Sequence, residues 1–150
     1  MNIELIEIPL SAFIEEGWHL AIEHYEEVAK ATGAPLPSID VEQLISLENC
    51  GMIFTIGAFD GEKLIGYSVN QIGRSFNFHD VIMVDNQGLF VSKQYRNTRA
   101  GLRLIDETNR VAKERGAVRA TWHTYLGTRA ATLFDRLGYK AHDIIYTKEL

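Results

Sequence analysis

The chain has 150 residues, of which 46% are apolar and 23% charged, and its formal net charge is −5. This length predicts one domain over residues 1–150 with a single core, and the lone Cys50 excludes an intrachain disulfide. The negative net charge, the lack of an apolar run long enough to cross a bilayer and a start, Met-Asn-Ile-Glu, that is unlike a signal peptide predict a cytoplasmic protein that binds neither nucleic acid nor membranes.

The first fifty residues predict a strand followed by two helices. Apolar side chains flank two glutamates over residues 3–8, which is typical of a short strand. Apolar residues then recur at three-to-four spacing from Ser11, a capping residue, to about Lys30, and this spacing predicts a helix with an acidic opposite face. A second, shorter helix is expected to begin at the capping residue Asp40.

The middle of the chain predicts three antiparallel strands joined by short turns. The sequence Asp60-Gly61 is typical of a hairpin turn, and residues 73–77 form the second turn. Gly88 lies inside the third strand and predicts either a bulge there or a place where another group approaches the backbone closely. The three strands are Met52–Phe59, Lys63–Gln71 and His79–Val91.

A basic turn follows the third of these strands. The hydrophobic period changes between Val91 and Leu102, which predicts that a strand gives way to a helix over Ala100–Arg115. The first N–H groups of a helix have no intrahelical partner and carry the positive end of its dipole, so such a turn can hold a phosphate. Residues 92–101 contain no acid and three bases, Lys93, Arg96 and Arg99.

The last third of the chain predicts a strand, a helix and a final strand. Residues 118–123 form the first strand, and Thr128 caps a helix that Gly138 ends. The final strand is predicted at Asp143–Lys148. The whole order is therefore β, α, α, three antiparallel strands, α, β, α, β.

Two segments and this element order resemble the GNAT family of N-acetyltransferases. Residues 96–101, Arg-Asn-Thr-Arg-Ala-Gly, are similar to the family's pyrophosphate loop Q/R-x-x-G-x-G/A, with Arg99 at a position where the family usually has Gly. Residues 127–139 are similar to the family's late segment N-x-x-A-x-x-L-Y-x-x-x-G-F. In that segment Gly127 replaces the usual Asn, and Phe134 replaces a Tyr that in many members protonates the departing thiolate.

The resemblance implies an α+β fold, an α/β/α sandwich whose mixed, mostly antiparallel sheet splays between its fourth and fifth strands. It also implies that acetyl-CoA is the co-substrate and that its acetyl group passes directly to a primary amine of a small molecule or protein. The alternative is an acyl-CoA-binding module with little turnover and a regulatory or structural role. The implied coenzyme-binding residues are Leu89, Phe90, Val91, Arg96, Asn97, Thr98, Arg99, Ala100, Gly101 and Phe134.

The catalytic groups are predicted by analogy and by residue chemistry. Asp85 lies six residues before Val91, where the histone-acetylating branch of the family has its catalytic Glu, so we expect it to be the general base; a water chain is the alternative. Since Phe134 has no proton to give, Tyr125 and Tyr146 are the candidate general acids.

The resemblance implies that the acceptor side is formed by the first two helices and their loop, Trp18 to Leu47, together with the turn before the last strand. Residues 1–50 carry ten acidic side chains and one lysine, which would suit a polyamine, an aminoglycoside or a lysine-bearing protein. The candidate acceptor residues are Trp18, Glu23 and Glu27. No metal site is expected, because His19 and Glu23 lack a third ligand. A homodimer is possible, and the resemblance extends to small phage-encoded members, which would act in the host cytoplasm.

Overall fold

The computed structural model describes residues 2–150, and a single five-stranded sheet lies at its centre. The strands, which are neighbours in sequence order, are β1 (Ile3–Ile8), β2 (Ile53–Asp60), β3 (Lys63–Arg74), β4 (Ile82–Val91) and β5 (Arg119–Thr121). β1 to β4 are antiparallel to one another, whereas β5 is parallel to β4. The sheet is therefore mixed and mostly antiparallel, as predicted.

Four α-helices accompany the sheet: α1 (Leu10–His24), α2 (Val41–Asn49), α3 (Ala100–Glu114) and α4 (Arg129–Arg136). α1 continues into a π-helical turn, Tyr25–Ala29, and a 3-10 turn, Lys30–Thr32. The predicted extent of the first helix is thus confirmed, although its last part is not α-helical. Asp40 and Thr128 cap α2 and α4 through their side chains, as predicted.

Helices cover both faces of the sheet. α3 packs against one face, where Leu104 joins the larger core cluster, and α1 packs against the other through Phe13 and Leu20. Because both faces are covered, β2 is buried along residues 53–58 without the alternation expected of a strand with one wet face. This α/β/α sandwich is the predicted architecture.

The sheet splits between β4 and β5. Their pairing ends where Asp85 meets Thr121, and beyond that point β4 continues to Val91 without a neighbour on this side among residues 2–150. On its other side, the backbone N–H of Ser92 donates to Ile65 O at 2.8 Å. Since donors in an antiparallel ladder alternate between the two sides of a strand, the N–H groups of Leu89 and Val91 point away from β3, into the open edge.

A bulge lies just before this open edge. Val69 pairs with Gly88 and Asn70 pairs with Asn86, so Gln87 is an extra residue in β4. The bulge predicted from Gly88 is thus confirmed. A buried polar cluster surrounds it: Asn86 Nδ2 lies 2.8 Å from Asn70 Oδ1 and 3.0 Å from Ser68 Oγ, which in turn accepts from Thr108 of α3 at 2.9 Å. These hydrogen bonds hold the bulged part of β4 against β3.

Several strand boundaries differ from the prediction, and the final strand is wrong. β2 is shifted by one residue at each end, and β3 extends to Arg74 rather than Gln71. β4 begins at Ile82 rather than His79, and β5 covers only Arg119–Thr121. Residues 143–148 are not a strand, and Tyr146 has 89% of its surface exposed. The β-favouring composition of this segment predicted a strand, but a strand needs a neighbour to pair with and a face to bury, and in the described structure β5 ends the sheet.

Candidate active site

Residues 97–102, which span the end of the turn between β4 and α3 and the first residues of α3, contain four backbone donors with no acceptor among residues 2–150. The N–H groups of Tyr95, Arg96, Thr98 and Ala100 all donate within the turn. Among residues 2–150 no acceptor is bonded to the N–H groups of Asn97, Arg99, Gly101 and Leu102, and the side chain of the N-cap residue Arg99 makes no capping bond. An uncapped helix N-terminus with free N–H groups is a binding site for an anion such as phosphate.

Arg99 occupies this turn without strain. Its φ is −88° and its ψ is 12°, so the backbone there does not need the left-handed conformation that favours glycine. Gly101 also has room, because a Cβ there would lie 3.8 Å from Val91 Cγ2. The departure from the glycine pattern at Arg99 is thus compatible with an ordinary helix start.

Arg96 joins the turn to α1. Its Nε donates to Val91 O at 3.0 Å, its two terminal nitrogens each lie 2.5 Å from a carboxylate oxygen of Glu27, and its guanidinium lies 5.2 Å from the centre of the Phe90 ring. The hydrogen bonds from Arg96 lower the pKa of the Glu27 carboxyl. Glu23 Oε1 accepts from the backbone N–H of Lys93 at 3.5 Å. Glu23 and Glu27, which were predicted on the acceptor side, both contact the basic turn.

A buried aromatic group lies beneath this arginine. His24 stacks on Phe90 with ring centres 5.0 Å apart, and its Nδ1 lies 3.0 Å from the Tyr67 hydroxyl. Burial lowers the pKa of His24 and raises the pKa of Tyr67, so burial favours the neutral form of both rings in this hydrogen-bonded pair. The end of β4 is thus fixed against α1 on this face of the sheet.

An aromatic cluster, Trp122, Phe134 and Tyr139, follows β5 in the chain. Phe134 of α4 is 7% exposed and packs on Trp122, with ring centres 5.3 Å apart, and edge-on against Tyr139 at 5.0 Å. The indole Nε1 of Trp122 is buried and, in the part of the chain that the structure describes, has no acceptor. The Tyr139 hydroxyl accepts from Asn109 Nδ2 at 2.7 Å. Tyr139, which the sequence analysis did not select, is the phenol packed beside Phe134.

Asp85 is paired with a histidine at the point where the two strands separate. Its Oδ1 lies 2.8 Å from His123 Nε2, and its Oδ2 accepts from Gln87 Nε2 at 2.9 Å. The side chains of Asp85 and His123 are about half exposed, at 45% and 50%. His123 was not predicted, because only the register of β5 on β4 brings it to Asp85.

One known protein family matches most of the chain. A model of the Acetyltransferase (GNAT) family matches residues 18–139. The chain belongs to the GNAT family. The family resemblance predicted from the basic turn and the late segment is thus confirmed. No curated protein matches the sequence.

Solved structures show that this GNAT chain shares its fold with acetyltransferases. A mutant protein from Bacillus halodurans is 18% identical with a TM-score of 0.79, and the alignment covers 100% of this chain and 99% of that one. An aminoglycoside acetyltransferase from an uncultured soil metagenomic sample is 15% identical, with 100% and 99% coverage and a TM-score of 0.77. A ribosomal-protein-alanine N-acetyltransferase from Brucella melitensis biovar Abortus 2308 is 14% identical, with 99% coverage of both chains and a TM-score of 0.73.

Tyr125, Tyr146 and Trp18 are the remaining predicted site residues of this GNAT chain. Tyr125 is 41% exposed in the connection between β5 and α4. Tyr146 was predicted on a final strand, and this location is wrong because its segment is not a strand and is exposed. Trp18 packs, partly buried, against the core on the α1 face.

Two negative findings complete the description. Across residues 2–150, no three His, Cys, Asp or Glu side chains come close enough together to bind a metal ion. No helix in that range combines the length and apolar character needed to cross a bilayer.

Proposed function

We propose that this GNAT chain binds acetyl-CoA and transfers its acetyl group to a primary amine. The observation that carries the proposal is the set of four unused N–H groups at Asn97, Arg99, Gly101 and Leu102, directly beyond the open edge of β4. A diphosphate needs donors of this kind, and an extended pantetheine arm needs an unpaired strand edge. Both occur in one continuous stretch, residues 89–102.

Different residues of the split would bind different parts of acetyl-CoA. The four N–H groups would hold the pyrophosphate, with Arg99 adding positive charge. The N–H groups of Leu89 and Val91 would pair with the pantetheine arm and the thioester. The buried Trp122 Nε1, which has no acceptor among the described residues, fits a site that gains a polar partner when occupied. Phe134 would form the apolar wall beside the sulfur.

The transfer itself needs no covalent enzyme intermediate. The amine nitrogen attacks the thioester carbonyl carbon, a C–N bond forms, and the C–S bond then breaks to release coenzyme A as a thiolate that takes up a proton. An N–H of the open edge aimed at the thioester oxygen would stabilise the oxyanion, and loss of one such donor costs about 3 kcal/mol. The chain would thus contribute the alignment of the amine with the thioester, and an N–H donor that polarises the thioester carbonyl.

The acceptor is proposed as a cationic amine of a small molecule or a protein. The acid-rich first fifty residues support this class, although Glu27 is already paired with Arg96. Two of the structural neighbours are named for an aminoglycoside and for the alanine of a ribosomal protein, so both acceptor types belong in the test.

Two measurements test the function in sequence. Acetyl-CoA at 100 times its dissociation constant should stabilise the chain by about 2.7 kcal/mol, which a thermal-shift assay detects. Release of free thiol is then followed with a polyamine, an aminoglycoside, a lysine peptide and an alanine-ended peptide. Release with at least one amine supports the proposal.

One alternative is supported by a specific residue. Phe134 lacks the hydroxyl that would protonate the thiolate, which favours a coenzyme-binding module with little turnover. Stabilisation by acetyl-CoA without thiol release for any acceptor would favour this alternative. The lack of any stabilisation would contradict both functions.

A further inference from the structure

Asp85 and His123 lie together on one face of the sheet, at the base of the split. The neighbours of Asp85 in β4 are Val84, which joins the core beneath α3, and Asn86, which is buried in the polar cluster with Thr108 of α3. Because side chains alternate along a strand, Asp85 points to the opposite face. Phe90 packs on that same face, against α1.

The bulge at Gln87 is what puts Asp85 and Phe90 on one face. Phe90 comes five positions after Asp85 in the chain. In a regular strand, two residues an odd number of positions apart have side chains on opposite faces. The extra residue between Asn86 and Gly88 shifts the alternation by one position. Asp85 and His123 therefore share the face of the open strand end with Phe90, rather than lying behind it.

The hydrogen bonds of the pair define the state of the imidazole. The carboxylate of Asp85 can only accept, so His123 presents a protonated Nε2 to Oδ1 at 2.8 Å. A neutral imidazole then carries its lone pair on Nδ1. Nδ1 of His123 has no hydrogen-bond partner in the described chain, and the side chain is half exposed. An incoming amine can therefore reach this nitrogen.

We propose that His123 is the general base of the reaction and that Asp85 is a positioning residue that fixes its tautomer. This inference rests on the proposed acetyl transfer. The acceptor attacks as the neutral amine, after its ammonium form has given one proton to solvent. As the amine nitrogen forms its bond to the carbonyl carbon, a second N–H proton moves to Nδ1 of His123. The resulting imidazolium is stabilised by Asp85, and the proton passes to the thiolate or to solvent when the C–S bond breaks. Both carboxylate oxygens of Asp85 are already bonded, Oδ2 to Gln87, which suits an orienting role.

The test is a set of single and double variants assayed with an acceptor that the wild-type chain acetylates. His123→Ala should lower kcat by about 100-fold or more while the acetyl-CoA dissociation constant changes less than twofold. Added imidazole should restore at least tenfold of the lost rate. Asp85→Asn should also lower kcat, and in the His123→Ala background it should cause no further loss, because the two residues act as one unit.

The chain contains a matched control. His79 and Asp80 form another exposed His–Asp pair, at 3.0 Å, in the loop between β3 and β4. His79→Ala should leave kcat unchanged. If removing any exposed histidine lowered kcat, His79→Ala and His123→Ala would show a similar loss.

Three results would overturn the inference. The first is turnover of His123→Ala within threefold of wild type, and the second is a loss that imidazole does not relieve. The third is loss of activity in Asp85→Asn with full activity in His123→Ala, which would make Asp85 itself the base. If the wild-type chain acetylates no amine, the proposed function itself is wrong. The wild-type assay therefore distinguishes failure of the proposed function from the three results that contradict the role of His123.

Discussion

At the scale of single residues, the proposed anion site consists of backbone groups rather than side chains. Arg96, the first residue of the motif, donates hydrogen bonds to Glu27 and to Val91 O, and its guanidinium lies over the ring of Phe90. Arg99 lies at the N-cap of α3 and makes no capping bond, so its charge is available to a ligand. The family motif predicts residues 96–101 as one set, and the structure divides them into groups that hold the turn and groups that have no partner among residues 2–150.

The charge at Arg99 should therefore control coenzyme affinity. We expect Arg99→Glu to raise the acetyl-CoA dissociation constant by about tenfold or more, or roughly 1.4 kcal/mol, because an acid at a helix N-terminus repels phosphate. Lys113→Glu makes the same charge change in the last turn of α3 and should stay within twofold of wild type. Isothermal titration measures both, and equal effects would indicate long-range charge rather than a local site.

Phe134 should limit turnover. Phe134→Tyr adds a hydroxyl to a ring that packs on Trp122 and Tyr139, and we expect kcat to increase because a phenol can protonate the leaving thiolate. Phe134→Leu, which adds no proton donor, should not increase it. The measurement is the thiol-release rate at saturating acetyl-CoA. An unchanged or lower rate in Phe134→Tyr would mean that this side chain is not at the sulfur.

His24 should make stability depend on pH. Burial lowers its pKa below the ordinary 6.5, so the unfolded chain binds a proton more readily than the folded one. The free energy of unfolding should therefore fall as the pH decreases from about 6.5 through the folded-state pKa, and it should reach its full value above that range. His24→Asn should flatten this dependence, as measured by urea unfolding between about pH 7.5 and pH 5.

An exposed histidine on the same helix provides the control. His19→Asn should retain the wild-type slope of unfolding free energy against pH, because His19 lies on the outer face of α1. A His24→Asn variant with the wild-type slope would assign the acid sensitivity to other groups.

At the scale of elements, the approach of β3 to the end of β4 depends on one glycine. A Cβ on Gly66 would lie 2.7 Å from Phe90 O, a backbone atom that cannot swing aside. Gly66→Ala should therefore displace the open end of β4, lower the unfolding free energy by about 1–3 kcal/mol and weaken acetyl-CoA binding. Gly73→Ala, in the same strand, has no heavy atom within 4 Å of the new Cβ and should be nearly neutral.

Thermal denaturation and coenzyme titration check both glycine variants. If Gly66→Ala lost stability but bound acetyl-CoA normally, the open strand end would not take part in coenzyme binding. A similar loss in Gly73→Ala would point to a general cost of alanine in β3.

The elements show what a sequence can and cannot predict about this site. Periodicity and capping residues predicted the helices and β1 to β4, and Gly88 predicted the bulge, because these signals are local. The partner of Asp85 could not be predicted, since His123 reaches it only through the register of β4 on β5. The strand predicted at residues 143–148 failed for the same reason: apolar composition does not say whether a pairing edge is at hand.

At the scale of the whole molecule, the end of β4 contributes side chains to both core clusters, which lie on opposite faces of the sheet. The cluster beneath α3 includes Val91 and Ala100, and the cluster beneath α1 includes Phe90. Successive residues of β4 are thus tied to different layers of the sandwich. The family motif predicted that the coenzyme site lies at this end of the sheet, whereas the link from α1 through Glu27 to Arg96 required the folded chain.

The half-open fourth strand should leave a signature in amide hydrogen exchange. Along residues 88–91, the amides of Gly88 and Phe90 face β3, whereas those of Leu89 and Val91 face the gap. In the free chain, deuterium should replace the protons of the second pair much faster than those of the first, so that fast and slow exchange alternate along the strand. Bound acetyl-CoA should slow Leu89 and Val91 selectively and remove the alternation, which two-dimensional NMR can follow one amide at a time.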